Sequence, residues 1–202
     1  MRMRSLAVSA LISSGVIVAA VFAHSLNTNA QTQTGQTKLR YLPEYTADGD
    51  LILPKGFHEW VYVGSPLTPN ALNGGNANFP EFHNVYIEPG SYETYKRTHE
   101  FPEGTILFKE LQLTLPAENP DGSRAEPSGR GYFPGPWNGA DATVKDSKRY
   151  ADTGGWGYYN FNHHEPKAPT AKVRAKEECA YCHIANAKKD EVWTQFYPLL
   201  DK

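Results

Sequence analysis

Methionine and cysteine are nearly absent from this 202-residue chain, and their scarcity limits its chemistry. The two methionines are Met1 and Met3, and the two cysteines are Cys179 and Cys182. A single cysteine pair cannot build a four-cysteine zinc site. The chain also lacks an H-E-x-x-H sequence and a glycine-rich phosphate loop, so it has none of the usual signatures of zinc peptidases or nucleotide-binding proteins.

Neither sign of charge is in large excess, because 20 lysine and arginine residues are balanced by 22 aspartate and glutamate residues. Such a balance argues against nucleic acid or an anionic membrane surface as a partner. Fifteen prolines and seventeen glycines are scattered along the chain without a period. This composition favours a loop-rich domain over a helical bundle.

An uncharged, largely apolar run extends from Leu6 to Phe22, and two arginines lie just before it. Small residues then offer two cleavage sites, after Ala23 and after Ala30. Residues 1–30 are therefore predicted to be a signal peptide that is removed on export to the periplasm. An uncleaved membrane anchor is the alternative, because the run approaches the length of a membrane span.

About 170 residues remain after such a cleavage, which is enough for one domain with a hydrophobic core. Residues 31–48 begin with a polar stretch and are predicted to be a flexible lead-in. Residues 49–202 are predicted to form a single domain. Loss of the two arginines brings the net charge of this mature chain near −4, which is ordinary for a soluble periplasmic protein.

The segment Cys179-Ala180-Tyr181-Cys182-His183 is a C-x-x-C-H motif, which is typical of covalent attachment of a c-type haem. In such sites the two thiols add to the haem vinyl groups, and the adjacent histidine becomes an axial ligand of the iron. We therefore expect one haem c, bound through Cys179 and Cys182, with His183 on the iron. A disulfide or redox pair of the two cysteines is the alternative, but it would not need His183.

Removal of the signal peptide would also remove both methionines, so the iron would have no methionine ligand. What remains is either ligation by two histidines or a five-coordinate iron with one open face. Candidates for a second histidine ligand are His58, His83, His99, His163 and His164. His163 and His164 precede Glu165-Pro166 and are interpreted as part of an exposed loop.

Local composition and periodicity predict the secondary structure. Strands are predicted at residues 60–64, 84–87, 105–115 and 155–161. Helices are predicted at residues 54–59 and 89–97, with helical periodicity from 176 to 200, and residues 117–131 are predicted to be a long mobile connection. The fold class is thus predicted as α+β: an antiparallel β-sheet with short helices and a C-terminal helical segment that attaches haem.

Several segments together resemble the cytochrome P460 family: Phe57-His58-Glu59-Trp60-Val61-Tyr62-Val63-Gly64, Lys109-Glu110-Leu111, Val144-Lys145-Asp146-Ser147-Lys148-Arg149-Tyr150, and the C-x-x-C-H motif followed by Phe196-Tyr197-Pro198-Leu199. The resemblance extends from about Asp50 onward and identifies residues 49–202 as a cytochrome P460-like haem domain. It implies a periplasmic, mostly sheet-based homodimer with one haem per chain.

In the hydroxylamine-oxidising members of this family the haem is also cross-linked to a lysine, and the matching residue here is Lys109. Such a bond would distort the porphyrin ring and change its electronic properties. The alternative for Lys109 is a lysine whose stem packs in the sheet while its amine reaches water. Related cytochromes c′-beta share the fold but lack the cross-link.

Two further site residues follow from the resemblance. Asp141 lies where the hydroxylamine-oxidising relatives carry a glutamate that moves protons, and it is one methylene shorter. His83 lies where a relative carries an arginine near the open iron face, where a histidine can donate a hydrogen bond, move protons or ligate iron. Their alternatives are a turn-capping or solvent-exposed aspartate and an ordinary histidine at a strand end.

The resemblance implies oxidation of hydroxylamine toward nitrous oxide at a five-coordinate iron, with electrons passing to a soluble cytochrome c. Asp141 and His83 would be the catalytic residues, and Lys109, Cys179, Cys182 and His183 would bind the cofactor. One alternative is a protein like cytochrome c′-beta that binds nitric oxide without the cross-link. Another is an electron carrier with two histidines on the iron.

Overall fold

The computed structural model describes residues 41–163 and 168–202, all of which belong to one compact unit spanning Thr37–Lys202. The predicted signal peptide, residues 31–40 of the predicted lead-in, and His164 lie outside the described residues. Among the described residues, no helix has the length and apolar character needed to cross a bilayer.

An antiparallel sheet of five strands forms the centre of the fold. In spatial order its strands are β2 (Val61–Gly64), β3 (Phe82–Ile87), β4 (Ile106–Thr114), β7 (Pro134–Lys145) and β8 (Trp156–His163). Two short pairs accompany it: β1 (Leu51–Ile52) with β9 (Thr170–Ala171), and β5 (Arg124–Glu126) with β6 (Gly129–Gly131).

The described α-helices are α1 (Pro89–Thr98) and α2 (Ala180–Asn186). Short 3-10 turns lie at Phe57–Glu59, Asn70–Leu72, Ala151–Thr153 and Thr194–Phe196. The start of α1 follows from its sequence, because proline suits the first helical position and the Glu88 carboxylate accepts backbone N–H bonds from Gly90 and Ser91. The predicted α+β class, with an antiparallel sheet and short helices, is confirmed.

Side chains of β4 alternate between two buried clusters, as the period of a strand requires. Ile106 and Phe108 pack in one cluster with Leu51 and Phe161. Leu107 packs in the other, to which the C-terminal segment also contributes. Lys109 is two residues beyond Leu107 and therefore shares the face that the C-terminal segment covers.

Three sequence-based expectations were wrong in part. Residues 117–131 are not an irregular connection, because they contain the β5–β6 hairpin. An ion pair between Arg130 and Asp121 (2.7 Å) also lies in this segment. Strand β7 was not predicted, since its first half is rich in Gly, Pro and Asn. Residues 176–200 are helical only at α2 and in one 3-10 turn, with irregular backbone elsewhere.

Candidate functional site

A cavity of about 500 Å³ lies between one face of the sheet and the C-terminal segment. Side chains of the sheet, including Val85, Leu107, Lys109 and Asp141, form one part of its wall. The segment that carries α2 forms another part, with Cys179, Cys182, His183, Trp193 and Phe196. This volume is within the range of sites for small molecules and cofactors.

The C-x-x-C-H motif lies at the start of α2. Cys179 precedes the first helical residue, and Cys182 and His183 lie within the helix. All three side chains line the same cavity. The two thiols are partly buried and are not bonded to each other. The three residues expected to attach the haem and ligate its iron therefore all line one cavity.

His183 is held in the protonation state that suits a metal ligand. Its Nδ1 lies 2.8 Å from the backbone oxygen of Glu191, which can only accept, so Nδ1 carries the hydrogen and Nε2 keeps a lone pair. Burial lowers the pKa of His183 to about 4, although the hydrogen bond to Glu191 raises it in part. The indole Nε1 of Trp193, at 3.3 Å, donates to Nε2.

These residues fit a haem. The cavity has a mainly apolar wall that includes Val85, Leu107 and Tyr158, and it presents two free thiols beside an imidazole whose Nε2 carries no hydrogen and accepts from Trp193, a bond that ligation of an iron would replace. A tetrapyrrole with two reactive vinyl groups and an iron needs this set of groups. The arrangement does not fit a structural zinc site, because no group of three or more histidine, cysteine, aspartate and glutamate side chains among the described residues is placed to hold a metal ion.

Lys109 and Asp141 form an ion pair on the sheet side of the cavity. They are direct register partners on β4 and β7, and Lys109 Nζ lies 2.7 Å from Asp141 Oδ2. The exposed fractions of the two side chains are 24% and 19%, so both are largely shielded from water. The Lys109 amine also lies 4.6 Å from the centre of the Phe79 ring, a favourable cation–π contact.

Asp141 is held as a carboxylate. Burial alone raises the pKa of Asp141, but the Lys109 ammonium, through its charge and its hydrogen bond, holds the pKa well below its usual range. Neither alternative for Asp141 fits, since it neither caps a turn nor lies in open solvent. It lines the cavity beside Lys109, as the resemblance implied.

His83 lines the same cavity from β3, next to the strand that carries Lys109. Burial and the neighbouring Lys109 charge together lower the pKa of His83 to about 4. Its Nε2 is buried and has no hydrogen-bond partner among the described residues. A buried polar atom without a partner carries a cost, and a bound ligand in the cavity would relieve it.

Other histidines considered from sequence lie elsewhere. His58 has a side chain 61% exposed and pairs with Glu110 at 3.4 Å, and His99 follows the end of α1; neither lines the cavity. His164 lies outside the described residues.

His163, a candidate iron ligand from the sequence, has a different place in the structure, and Asn160 was missed. His163 was interpreted as part of a loop, yet it ends β8 with Nε2 3.3 Å from Asp141 Oδ1. Asn160 donates to the same Oδ1 at 2.7 Å. No local pattern identifies them, because the signal is the pairing of β8 with β7.

The comparison with protein families agrees with this geometry. Residues 54–194 match the family described as Cytochrome P460, and the match covers more than half of the 202 residues. No curated protein matches the chain. The matched region contains the sheet, the Lys109–Asp141 pair and the C-x-x-C-H segment. The chain therefore belongs to the cytochrome P460 family of haem proteins.

Proposed function

We propose that this protein is an exported, periplasmic haem c cytochrome that oxidises hydroxylamine toward nitrous oxide and passes the electrons to a soluble cytochrome c. It would act as a homodimer with one haem per chain. The observation that carries the proposal is the convergence of Lys109, Asp141 and His83 with the C-x-x-C-H segment on one cavity. No second charged pair among the described residues lines that cavity with a histidine beside it.

Cys179 and Cys182 would hold the haem through thioether bonds, and His183 would ligate the iron through Nε2. The hydrogen bond from His183 Nδ1 to Glu191 fixes the ring orientation and increases the basicity of Nε2. When bound, the haem supplies an iron centre that accepts electrons from the substrate. With no methionine in the mature chain, the sixth position is left open unless His83 occupies it.

Asp141 would accept a proton from the bound substrate, and His83 would hydrogen-bond to it. Hydroxylamine loses protons as it loses electrons, so a base must face the bound substrate. Asp141 is a shielded carboxylate on the cavity wall and can take such a proton. His83 is neutral at physiological pH and has a free ring nitrogen, which can hydrogen-bond a bound nitrogen or oxygen atom.

The ion pair also bears on the proposed cross-link. A lysine nitrogen must lose a proton before it can form a carbon–nitrogen bond, and the Asp141 carboxylate at 2.7 Å is an acceptor for it. Lys109 lines the cavity and is not an edge lysine reaching into water, because β4 lies in the middle of the sheet. We propose that Lys109 Nζ bonds to the haem: the carbon–nitrogen bond would replace a carbon–hydrogen bond of the porphyrin ring, two protons would be released, and an external oxidant would take up the two electrons.

Nitric oxide binding without the cross-link is the second candidate, and one observation favours it. The same ion pair holds Lys109 as an ammonium, which has no lone pair for bond formation. A shielded cavity with a mainly apolar wall and a neutral His83 suits a small uncharged gas.

The optical spectrum of the dithionite-reduced holoprotein, compared with that of Lys109→Ala, distinguishes hydroxylamine oxidation with a cross-link from nitric oxide binding without one. A strongly red-shifted Soret band that disappears in Lys109→Ala supports the cross-link, and hydroxylamine turnover is then measured. An ordinary c-type spectrum in both proteins rules the cross-link out and favours nitric oxide binding. Lys145→Ala is the matched control, because Lys145 is also a shielded, ion-paired strand lysine but does not line this cavity.

A further inference from the structure

A β-bulge directs His163 toward Asp141. In the pairing of β7 with β8, Gly139 lies opposite His163 and Asp141 lies opposite Asn160, so β8 has one extra residue in this stretch. Side chains alternate along a regular strand, and residues three apart would face opposite sides. The extra residue interrupts the alternation, so that Asn160 and His163 face the same side of the sheet. Both side chains therefore reach Asp141 Oδ1.

Local backbone features support the bulge. Asn162, within it, has φ of 66°, a left-handed conformation that costs energy for a residue with a side chain. Gly139 makes room for the imidazole, because a Cβ at that position would lie 2.5 Å from His163 Cδ2 and 2.7 Å from the backbone oxygen of Asn162. The placement of His163 therefore depends on the left-handed backbone of Asn162 in β8 and on the absence of a side chain at Gly139 in β7.

The hydrogen bonds fix the tautomer of neutral His163. Asp141 is a carboxylate and only accepts, so the Asn160 side chain must turn its Nδ2 toward Asp141 Oδ1 at 2.7 Å. The same Nδ2 lies 2.7 Å from His163 Nε2 and presents its second hydrogen there. Nε2 is then an acceptor with a lone pair, the hydrogen is on Nδ1, and Nε2 is 3.3 Å from Asp141 Oδ1.

Asp141 alone is an incomplete proton carrier. The ion pair that holds it as a carboxylate also makes it a weak base at neutral pH, and its side chain is only 19% exposed. Imidazole is the side chain that ordinarily gains and loses a proton between pH 5 and 8. The His163 side chain is 27% exposed, more than that of Asp141, and its Nε2 lies 3.3 Å from Asp141 Oδ1.

We propose that His163 relays protons between Asp141 and solvent, as a positioning residue that acts on the substrate only through Asp141. This inference rests on the proposed oxidation of hydroxylamine. A proton taken by the Asp141 carboxylate passes to His163 Nε2: the O–H bond breaks, the N–H bond forms, and the balancing proton leaves Nδ1 to water. The substrate electrons leave separately, to the soluble cytochrome c of the proposed reaction.

Within residues 41–163 and 168–202, the charged and titratable groups facing His163 are Asp141 on β7, Lys109 on β4 and His83 on β3. Burial keeps His83 neutral above a pKa of about 4, and Asp141 remains ionised. Of these groups His83 and Asp141 keep one protonation state, so the variants below change His163, whose imidazole contacts Asp141.

The test compares the haem-loaded wild type with His163→Gln, which keeps a polar side chain of similar size but cannot carry a proton. Turnover is measured between about pH 5 and 8 against free-base hydroxylamine, since hydroxylamine itself titrates in this range. We expect the wild-type rate to fall as the pH drops, and His163→Gln to be slower by about tenfold or more and independent of pH. His58→Gln is the matched control, and its profile should equal that of the wild type.

A second measurement does not depend on turnover. The midpoint potential of the wild-type haem should fall as the pH rises through this window, because loss of the imidazolium charge disfavours the reduced state. In His163→Gln this slope should vanish. Profiles and potentials in His163→Gln that coincide with those of the wild type would overturn the relay. If the wild type does not oxidise hydroxylamine, only the proposed function is contradicted. The pH dependence of the midpoint potential still tests the role of His163.

Asn160→Ala provides an independent variant. Loss of the amide removes the hydrogen bond that Nε2 accepts in the neutral imidazole, so the imidazolium becomes relatively more stable. We expect the midpoint of the pH dependence of the potential to move to higher pH, and a shift to lower pH would contradict the proposed tautomer.

Discussion

Lys109 Nζ lies 2.7 Å from Asp141 Oδ2, between two strands whose register makes these residues direct partners. The ladder of backbone hydrogen bonds fixes the separation, so the ion pair is a property of the sheet and not of a mobile loop. It places a cation and a base at the same point of the cavity wall. Much of the chemistry proposed for this protein depends on that pair.

Asp141→Asn tests the base. The amide cannot take a proton from the substrate, so we expect hydroxylamine turnover to fall by about 100-fold or more. Affinity for nitric oxide should be unchanged, because binding of an uncharged gas needs no base. Asp141→Glu is the control, since it keeps the carboxylate and should retain most of the activity. Wild-type turnover in Asp141→Asn would assign the base to another residue.

Covalent attachment is tested by acid extraction of the haem into an organic solvent. The wild-type haem should stay with the polypeptide, because thioether bonds survive this treatment. In the triple variant Cys179→Ser, Cys182→Ser and Lys109→Ala, which also removes the proposed lysine bond, any haem held by His183 and the cavity should pass into the organic layer. Each single cysteine variant should keep the haem through the remaining thioether bond. Extraction of the wild-type haem would contradict a c-type site.

His83 should make stability depend on pH. Burial and the Lys109 charge lower its pKa to about 4, while an unfolded histidine titrates near pH 6.5. Between these values the unfolded chain binds one more proton than the folded chain, so stability falls as the pH drops from about 6.5 to about 4. The loss is on the order of 2–3 kcal/mol.

His83→Gln removes this titration. The free energy of unfolding, measured with guanidinium near pH 7 and near pH 4.5, should therefore decline less in the variant than in the wild type. The same substitution at exposed His58 should leave the wild-type decline in place. An equal decline in His83→Gln would show that His83 does not lose its proton on folding.

Gly157 should tolerate no side chain. A Cβ there would lie 2.5 Å from two carbons of the Tyr150 ring, which is buried and held by a hydrogen bond with Tyr159. We expect Gly157→Ala to lower the free energy of unfolding by about 1–3 kcal/mol. In Gly131→Ala the new Cβ would be 4.0 Å from the Phe133 ring, and the change should stay within about 1 kcal/mol. Comparable values for the two would mean that the Tyr150 ring can move aside.

Local patterns predicted those parts of the fold in which local preference and tertiary structure agree. The apolar run at 105–115 became β4, and the proline-led segment at 89–97 became α1, which extends to Thr98. Strand β7 escaped prediction because Pro134, Gly135 and Pro136 disfavour strands, and pairing with two neighbouring strands overrides that preference. Helical periodicity beyond Asn186 was misleading, since those residues pack around the cavity without forming a helix.

The candidate site was predictable in a similar, partial way. The C-x-x-C-H motif is contiguous, so its chemistry follows from spacing alone. Lys109, Asp141 and His83 were predicted through resemblance, and the structure brings them to one cavity. His163 was not predictable, because a bulge of one residue decides which way it faces, and no local sequence pattern encodes that register.

The order of residues along the chain has a consequence for biosynthesis. Ala180, Val192, Tyr197 and Leu200 complete the apolar cluster on the Leu107 face of the sheet, yet they follow all five of its strands in the sequence. All five strands are therefore synthesised before the residues that cover this face. A translation product that stopped before Cys179 would expose a broad apolar surface to water. Such a fragment should be a target for chaperones and proteases and not a smaller working domain.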